Sequence, residues 1–78
     1  MKVLLYGRLA EAVGSQVELA VEAGCSVGEV RRRLAADHPA AAETFGRSRV
    51  FVAQSFVADE QIVGDADEIE FLPPVSGG

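Results

Sequence analysis

The sequence predicts an α+β domain: a mixed sheet of four or five strands, one main helix on one of its faces, and an extended tail beyond the last strand. Three features point there. Short strand-like segments occur at both ends of the chain and past its middle, one strong helix signal lies between them, and Pro73-Pro74 interrupts the pattern just after the last strand. The 78 residues allow a single core, and a chain of this size buries only a little over ~60% of the surface it exposes when unfolded. Hydrophobic residues make up 49% of it, enough to build that core and too many for a disordered chain. A large internal catalytic cavity does not fit.

Lys2 to Tyr6 is an apolar run too short for a stable helix, expected as a central strand covered on both faces. Leu9 and Val13 then lie one turn apart, and Gly14 follows as a helix stop, so one or two helical turns are expected over Arg8–Val13. From Gln16 to Val21 apolar Val17, Leu19 and Val21 alternate with polar neighbours, which predicts a half-buried strand returning along the first.

Ser26-Val27-Gly28-Glu29 has capping-box spacing: Ser26 can accept from the Glu29 N–H while Glu29 reaches back to the Ser26 N–H. Val27, Val30 and Leu34 continue from it as a narrow apolar stripe, with Pro39 as the stop. A short turn is expected over Ala40–Phe45, ending at Gly46. Arg49–Gln54 is β-rich through Val50, Phe51 and Val52, with Phe56-Val57 continuing a hairpin. Gly64-Asp65 marks a turn, and Glu68–Leu72 alternates into the last strand. One helix covers one face of such a sheet, so the second face is expected to stay open. Phe51, or one register of the Leu4/Tyr6 and Ile69/Phe71 sets, would then form an apolar patch suited to a protein interface.

Seven basic against 12 acidic residues give a net charge of −5, which argues against nucleic acid as a direct partner. Arg31-Arg32-Arg33 reads as a solvated helical face. Asp59, Glu60, Asp65, Asp67, Glu68 and Glu70 are half of the acids and lie in a stretch without a base, a field expected to steer a positively charged partner surface. That stretch lacks the ordered oxygen spacing of a calcium loop. Cys25 is the one cysteine, so no internal disulfide is possible. With no leader-like opening and no apolar run near ~20 residues, a cytoplasmic protein without a membrane segment is expected. Cys25, without a base or second thiol nearby, reads as inert, and His38, at the end of the helical stripe, as a capping or packing residue. One Cys and one His are too few for a metal site of that ligand type.

The chemistry is expected at the tail. The division predicted is a domain over residues 1–72 and a tail over 73–78. The prolines lack N–H donors and cannot extend the ladder, while Gly77 and Gly78 have no Cβ and can pass a channel that would stop any side chain. A carboxylate on the second of two glycines is the least hindered acyl group a polypeptide presents, which makes Gly78 the candidate reactive centre. Phe71, Leu72, Pro73, Pro74, Val75, Ser76 and Gly77 are the residues expected to bind a partner's channel.

The ending Phe71-Leu72-Pro73-Pro74-Val75-Ser76-Gly77-Gly78 resembles that of the ubiquitin-like β-grasp sulfur carriers, and among them the small subunits of molybdopterin synthases. Val3-Leu4-Leu5-Tyr6-Gly7-Arg8-Leu9 with Glu11 and Gly14, the Val27–Leu34 helix and Gly64-Asp65-Ala66-Asp67-Glu68-Ile69 extend the likeness over the whole chain. The resemblance implies a β-grasp fold and a Gly78 carboxylate that a ubiquitin-activating-type adenylyltransferase converts to an acyl-adenylate with ATP and magnesium. A sulfur donor such as a cysteine desulfurase or rhodanese-like protein would then displace AMP. It implies a Gly78 thiocarboxylate that threads into the large synthase subunit, in a heterotetramer, and delivers sulfur to cyclic pyranopterin monophosphate. No cofactor would bind this chain stably, and the chain would not be an enzyme on its own. Carriers for thiamine thiazole, tRNA thiolation or a tungsten cofactor, and ubiquitin-like modifiers, share these features. Ala10-Glu11 and Ala53-Gln54 depart from the Arg-Glu and Asn-Gln common in the family, which bears on partner identity and leaves the acyl terminus untouched.

Overall fold

A computed structural model describes residues 1–74. The apolar run at the start becomes β1 (Lys2–Leu5), and a helix α1 (Gly7–Val13) follows after one extended residue. The chain continues through β2 (Gln16–Glu18), β3 (Cys25–Ser26), α2 (Val27–Asp37), a 3-10 turn at Pro39–Ala41, α3 (Ala42–Arg47), β4 (Arg49–Val52), β5 (Ser55–Val57), β6 (Ile62–Val63) and β7 (Glu68–Leu72). Five strands form a mixed sheet in the order β2-β1-β7-β4-β5. β7 runs parallel to β1, with Val3 opposite Ile69 and Leu5 opposite Phe71, and antiparallel to β4, with Val50 opposite Phe71.

Alternation along the strands sorts the side chains. Val3, Leu5, Val50, Ile69 and Phe71 turn inward and are buried with Leu9, Val27, Val30, Leu34 and Phe45 from the helices. The Phe45 and Phe71 rings meet edge to face at 5.6 Å, the arrangement the ring quadrupoles favour. The core therefore lies between one face of the sheet and three helices, of which α2 is the longest.

α2 begins where its capping residue predicts. Ser26 Oγ accepts from the Glu29 N–H at 3.2 Å, and the Glu29 carboxylate is met by the Ser26 hydroxyl at 3.4 Å. The Val27 and Gly28 N–H groups donate to the Gln61 and Asp59 carbonyls, both at 2.9 Å, so the loop before β6 satisfies donors every helix start leaves open. Gly28 permits that approach: a Cβ there would come within 3.3 Å of the Asp59 Cβ.

Several expectations need correction. β7 takes the centre of the sheet and β1 lies beside it. β1 is covered on one face only, because Leu4 stays half-buried on the other. β2 stops at Glu18, although Leu19 still donates to the Met1 carbonyl and is buried. The turn expected over Ala40–Phe45 is the 3-10 turn plus α3, and Gly46 lies within that helix. β4 ends at Val52; Ala53 and Gln54 form a two-residue hairpin turn with φ of 51° and 67°, left-handed values a hairpin of this kind demands and Asn or Gly usually supply. The β3–β6 ladder, Cys25 opposite Val63 and Ser26 opposite Ile62, is too short to leave a periodic signal.

Candidate functional site

The last strand carries the chain out of the core. Phe71 is fully buried, so its expected place in a partner's channel gives way to a structural one: it belongs to the core and anchors the exit. Leu72, 37% exposed, is the first residue beyond it that a partner can touch. Pro73 packs on the start of α1, where Gly7 has φ of 55° and a Cβ would meet the Pro73 Cγ at 3.2 Å. Any larger residue at Gly7 would push the chain off this path. Pro73 and Pro74 line a cleft of about 170 Å³ with Arg8 from α1 and Glu43, Thr44 and Arg47 from α3. Val75, Ser76, Gly77 and Gly78 lie outside the described residues.

The sheet face turned away from the helices is open. Leu4, Tyr6, Phe51, Phe56 and Leu72 lie on it, the Phe51 and Phe56 rings 5.9 Å apart and Phe56 65% exposed. Of the residue sets named for this face, Phe51 and the Leu4/Tyr6 register occupy it, while Ile69 and Phe71 face the core. The Tyr6 hydroxyl donates to Glu70 Oε2 at 2.6 Å. That bond, then lost hydration and the charges of Glu70 and Glu68, raise the phenol pKa above its ordinary value of 10.0. Leu4, Tyr6, Val52, Gln54, Asp67, Glu68 and Glu70 are among the residues around an open depression of about 520 Å³. Open, and lined by apolar residues together with acids, it suits a protein surface rather than an enclosed site for a small molecule.

The acidic stretch is largely tied to the fold. Asp59 pairs with Arg31, Asp67 accepts from the Gly64 N–H at 2.7 Å, and Glu68 faces Lys2 at 3.9 Å. Asp65 accepts from the Met1 ammonium at 3.0 Å and from the Val21 N–H; that hydrogen bond, the backbone donor and the ammonium charge hold its carboxyl below the ordinary 3.8. Part of the steering field expected from these residues is thereby neutralised.

Arg31 overturns the reading of the arginine run as a solvated face. Its side chain is 16% exposed. Nη1 donates to the Phe45 and Ser48 carbonyls at 2.6 and 2.8 Å, Nη2 donates to Asp59 at 2.8 Å, and the guanidinium lies 5.7 Å from the centre of the Phe71 ring. One planar fork thus caps the end of α3, ties down the loop before β6 and covers the ring that anchors the tail. A spacing signal for this existed: Arg31 is four residues from Val27 and three from Leu34, on the edge of the apolar stripe. Arg33 stays exposed, with one guanidinium nitrogen donating to the Ala20 carbonyl at 2.7 Å.

Cys25 is buried, its thiol pushed up chiefly by desolvation, which suppresses the thiolate a reactive cysteine needs. His38 packs its ring 6.4 Å from that of Phe45, and its carbonyl accepts from the Ala41 N–H. Among the described residues, no helix is long and apolar enough to cross a membrane.

The sequence matches the ThiS family over residues 3–78. It is 30% identical over 80 residues to the molybdopterin synthase sulfur carrier subunit of Mycobacterium tuberculosis, covering all of this chain and 96% of that protein. It is 32% identical to the subunit of the same name in Escherichia coli, covering all of this chain and 99% of that one. Among solved structures, SAMP1 of Haloferax volcanii superimposes with a TM-score of 0.82 at 30% identity, over 99% of this chain and 97% of that one. A chain of the complex between subunits 1 and 2 of the molybdopterin-converting factor of Helicobacter pylori gives 0.68 at 19% identity, over 99% and 96%, a likeness of fold.

Proposed function

The chain belongs to the ThiS family, and from that membership we propose that it is the sulfur carrier subunit of a molybdopterin synthase, with the carboxylate of Gly78 as its reactive group. The observation that supports this reading is the placement of the exit: Phe71 and Pro73 fix where the strand leaves the core, and the residues that follow, Val75-Ser76-Gly77-Gly78, end on an acyl group with no side chain beside it.

A carboxylate is a poor electrophile. The Gly78 carboxylate would attack the α-phosphorus of ATP on an adenylyltransferase, releasing pyrophosphate, and the acyl-adenylate so formed has AMP as a leaving group. The donor's persulfide displaces AMP to give an acyl disulfide, and a thiol cleaves its S–S bond, becoming the disulfide partner of the donor cysteine and leaving a thiocarboxylate, which is ionised and nucleophilic at neutral pH for the reason a thiolate exceeds a thiol. The large synthase subunit then receives the tail and supplies the pocket for cyclic pyranopterin monophosphate, and two transfers complete the dithiolene. This chain contributes the sulfur and the means of presenting it. The open sheet face, with Leu72 at its edge, would seat these partners one at a time.

A second reading is favoured by the likeness to SAMP1: a ubiquitin-like modifier joined through Gly78 to lysines. Intact mass separates the two after incubation with the activating enzyme, ATP and a sulfur donor. A carrier gains ~16 Da, oxygen replaced by sulfur at one acyl group, whereas a modifier appears as adducts of far larger mass. Removing Gly78 should abolish sulfur delivery and leave the melting temperature unchanged, since a chain end of this kind contributes little to the core. A truncated chain that still delivers sulfur in a reconstituted assay refutes the assignment.

A further inference from the structure

We propose that Arg8, Arg47 and Arg49 form a basic collar around the tail exit, and that this collar recognises a carboxylate-bearing rim at the mouth of the channel that receives the tail. The inference rests on the carrier reading and adds the chemistry of the partner's surface. The chain is acidic overall, yet three of its seven Lys and Arg residues gather where β7 ends. Arg8 and Arg47 line the cleft beside Pro73 and Pro74 on the helical side. Arg49 opposes Leu72 in the β4–β7 ladder and points to the open face, since its neighbour Val50 points to the core.

All three are exposed. Arg8 and Arg49 make no ion pair among the described residues, and Arg47 has only a loose pairing with Glu43 at 3.6 Å, both side chains largely in solvent. Such a pair is easily exchanged for another carboxylate. The acids Asp65, Asp67 and Glu68 lie at the other end of β7, about 13 Å away along an extended strand. Glu70, midway along the strand, accepts from the Tyr6 hydroxyl, and the basic residues gather at the end where the tail leaves.

The arrangement decides the class of ligand. Arg49 lies on the face of the sheet opposite Arg8 and Arg47, so the three cannot converge on one phosphate; only a surface that surrounds the strand end meets them all. What remains is a ring-shaped protein contact at the channel mouth, where guanidinium–carboxylate pairs set register and speed association.

The test is the association rate of the full chain with the large synthase subunit encoded in the same genome, measured by stopped flow across a salt series. The Arg8→Glu/Arg49→Glu double variant should associate at least ~10-fold more slowly at low salt and lose most of the salt dependence, while Arg32→Glu, an exposed change of the same charge on α2, should stay within ~2-fold. Equal losses in both, or none in either, overturn the proposal. If the double variant melts early, Arg8→Gln/Arg49→Gln provides the same test with a smaller loss of rate; opposite a stable Arg8→Glu/Arg49→Glu variant, lysine substitutions at the carboxylates rimming the large subunit's channel should restore the rate. Retention of the wild-type chain by bulk tRNA, lost on the same reversals, would also overturn it. Sulfur transfer is read in parallel. Arginine-dependent association without transfer refutes the carrier reading and upholds the collar, and transfer with arginine-independent association does the reverse.

Discussion

The two faces of the sheet are built from the same strands and serve opposite ends. On the inner face Val3, Leu5, Val50, Ile69 and Phe71 are all but fully buried; on the outer face their neighbours Leu4, Phe51 and Leu72, with Tyr6 and Phe56, keep contact with water. A period of two sends adjacent residues to opposite faces, so a change of one position along β4 or β7 moves from a side chain held in the core to one that meets water. The sharpest case is Phe71 beside Leu72, the first anchoring the tail and the second beginning the surface a partner can reach.

The contrast breaks most visibly at the inner face. Phe71→Ala should cost about 3–5 kcal/mol in urea denaturation, as expected for removing a buried ring, and a loss below about 1 kcal/mol would show that this face is not the core. Arg31→Ala comes next at about 3 kcal/mol, because it strands the Phe45 and Ser48 carbonyls and leaves Asp59 without its cation. Arg31→Lys should recover part of that, since an ammonium cannot span the same fork. If the alanine and lysine variants are equally stable, the fork geometry carries no weight.

At the outer face the order reverses. Phe56→Ala should change stability by no more than about 0.5 kcal/mol and weaken association with the large subunit about 10-fold, as for an aromatic contact at an interface; unchanged binding would remove Phe56 from the docking surface. Ala53→Asn with Gln54→Gly, at the rim of that face, should stabilise the protein by about 1 kcal/mol by relieving two left-handed residues, measured as a higher urea midpoint. The smallest effect is acidic. The Asp65 carboxyl is held below its ordinary value, so its contribution is present above pH ~4 and lost as pH falls through the lowered folded value. Asp65→Asn should flatten that limb of the melting-temperature profile, and an unaltered limb would exclude the contact with Met1 as its source.

Much of this was written locally. The α2 cap at Ser26, the Val27, Val30, Leu34 stripe and the alternation of Glu68–Leu72 each arise from neighbours in sequence, and all three lie where their spacing puts them. Strand ends were less legible. Ala53-Gln54 carries no Gly or Asn, so nothing local marked the hairpin turn, and β6 is two residues long. Arg31 sat in a run of three identical residues, where periodicity placed it near the stripe but composition suggested solvent.

The sequence by itself determined the helix, the alternating strands and the Gly-Gly ending that led to the family, because capping, periodicity and composition act between residues a few positions apart. The tertiary structure alone decided that β7 takes the centre, that Phe71 goes to the core rather than to a partner, that Arg31 closes over it, and that Arg8 and Arg47 flank Pro73 and Pro74 while Arg49 opposes Leu72. Those outcomes depend on pairings across nearly the whole chain, Lys2 with Glu68 and Leu5 with Phe71 among them. Contacts at such separations are set by which faces must be buried together, and no local pattern encodes that choice.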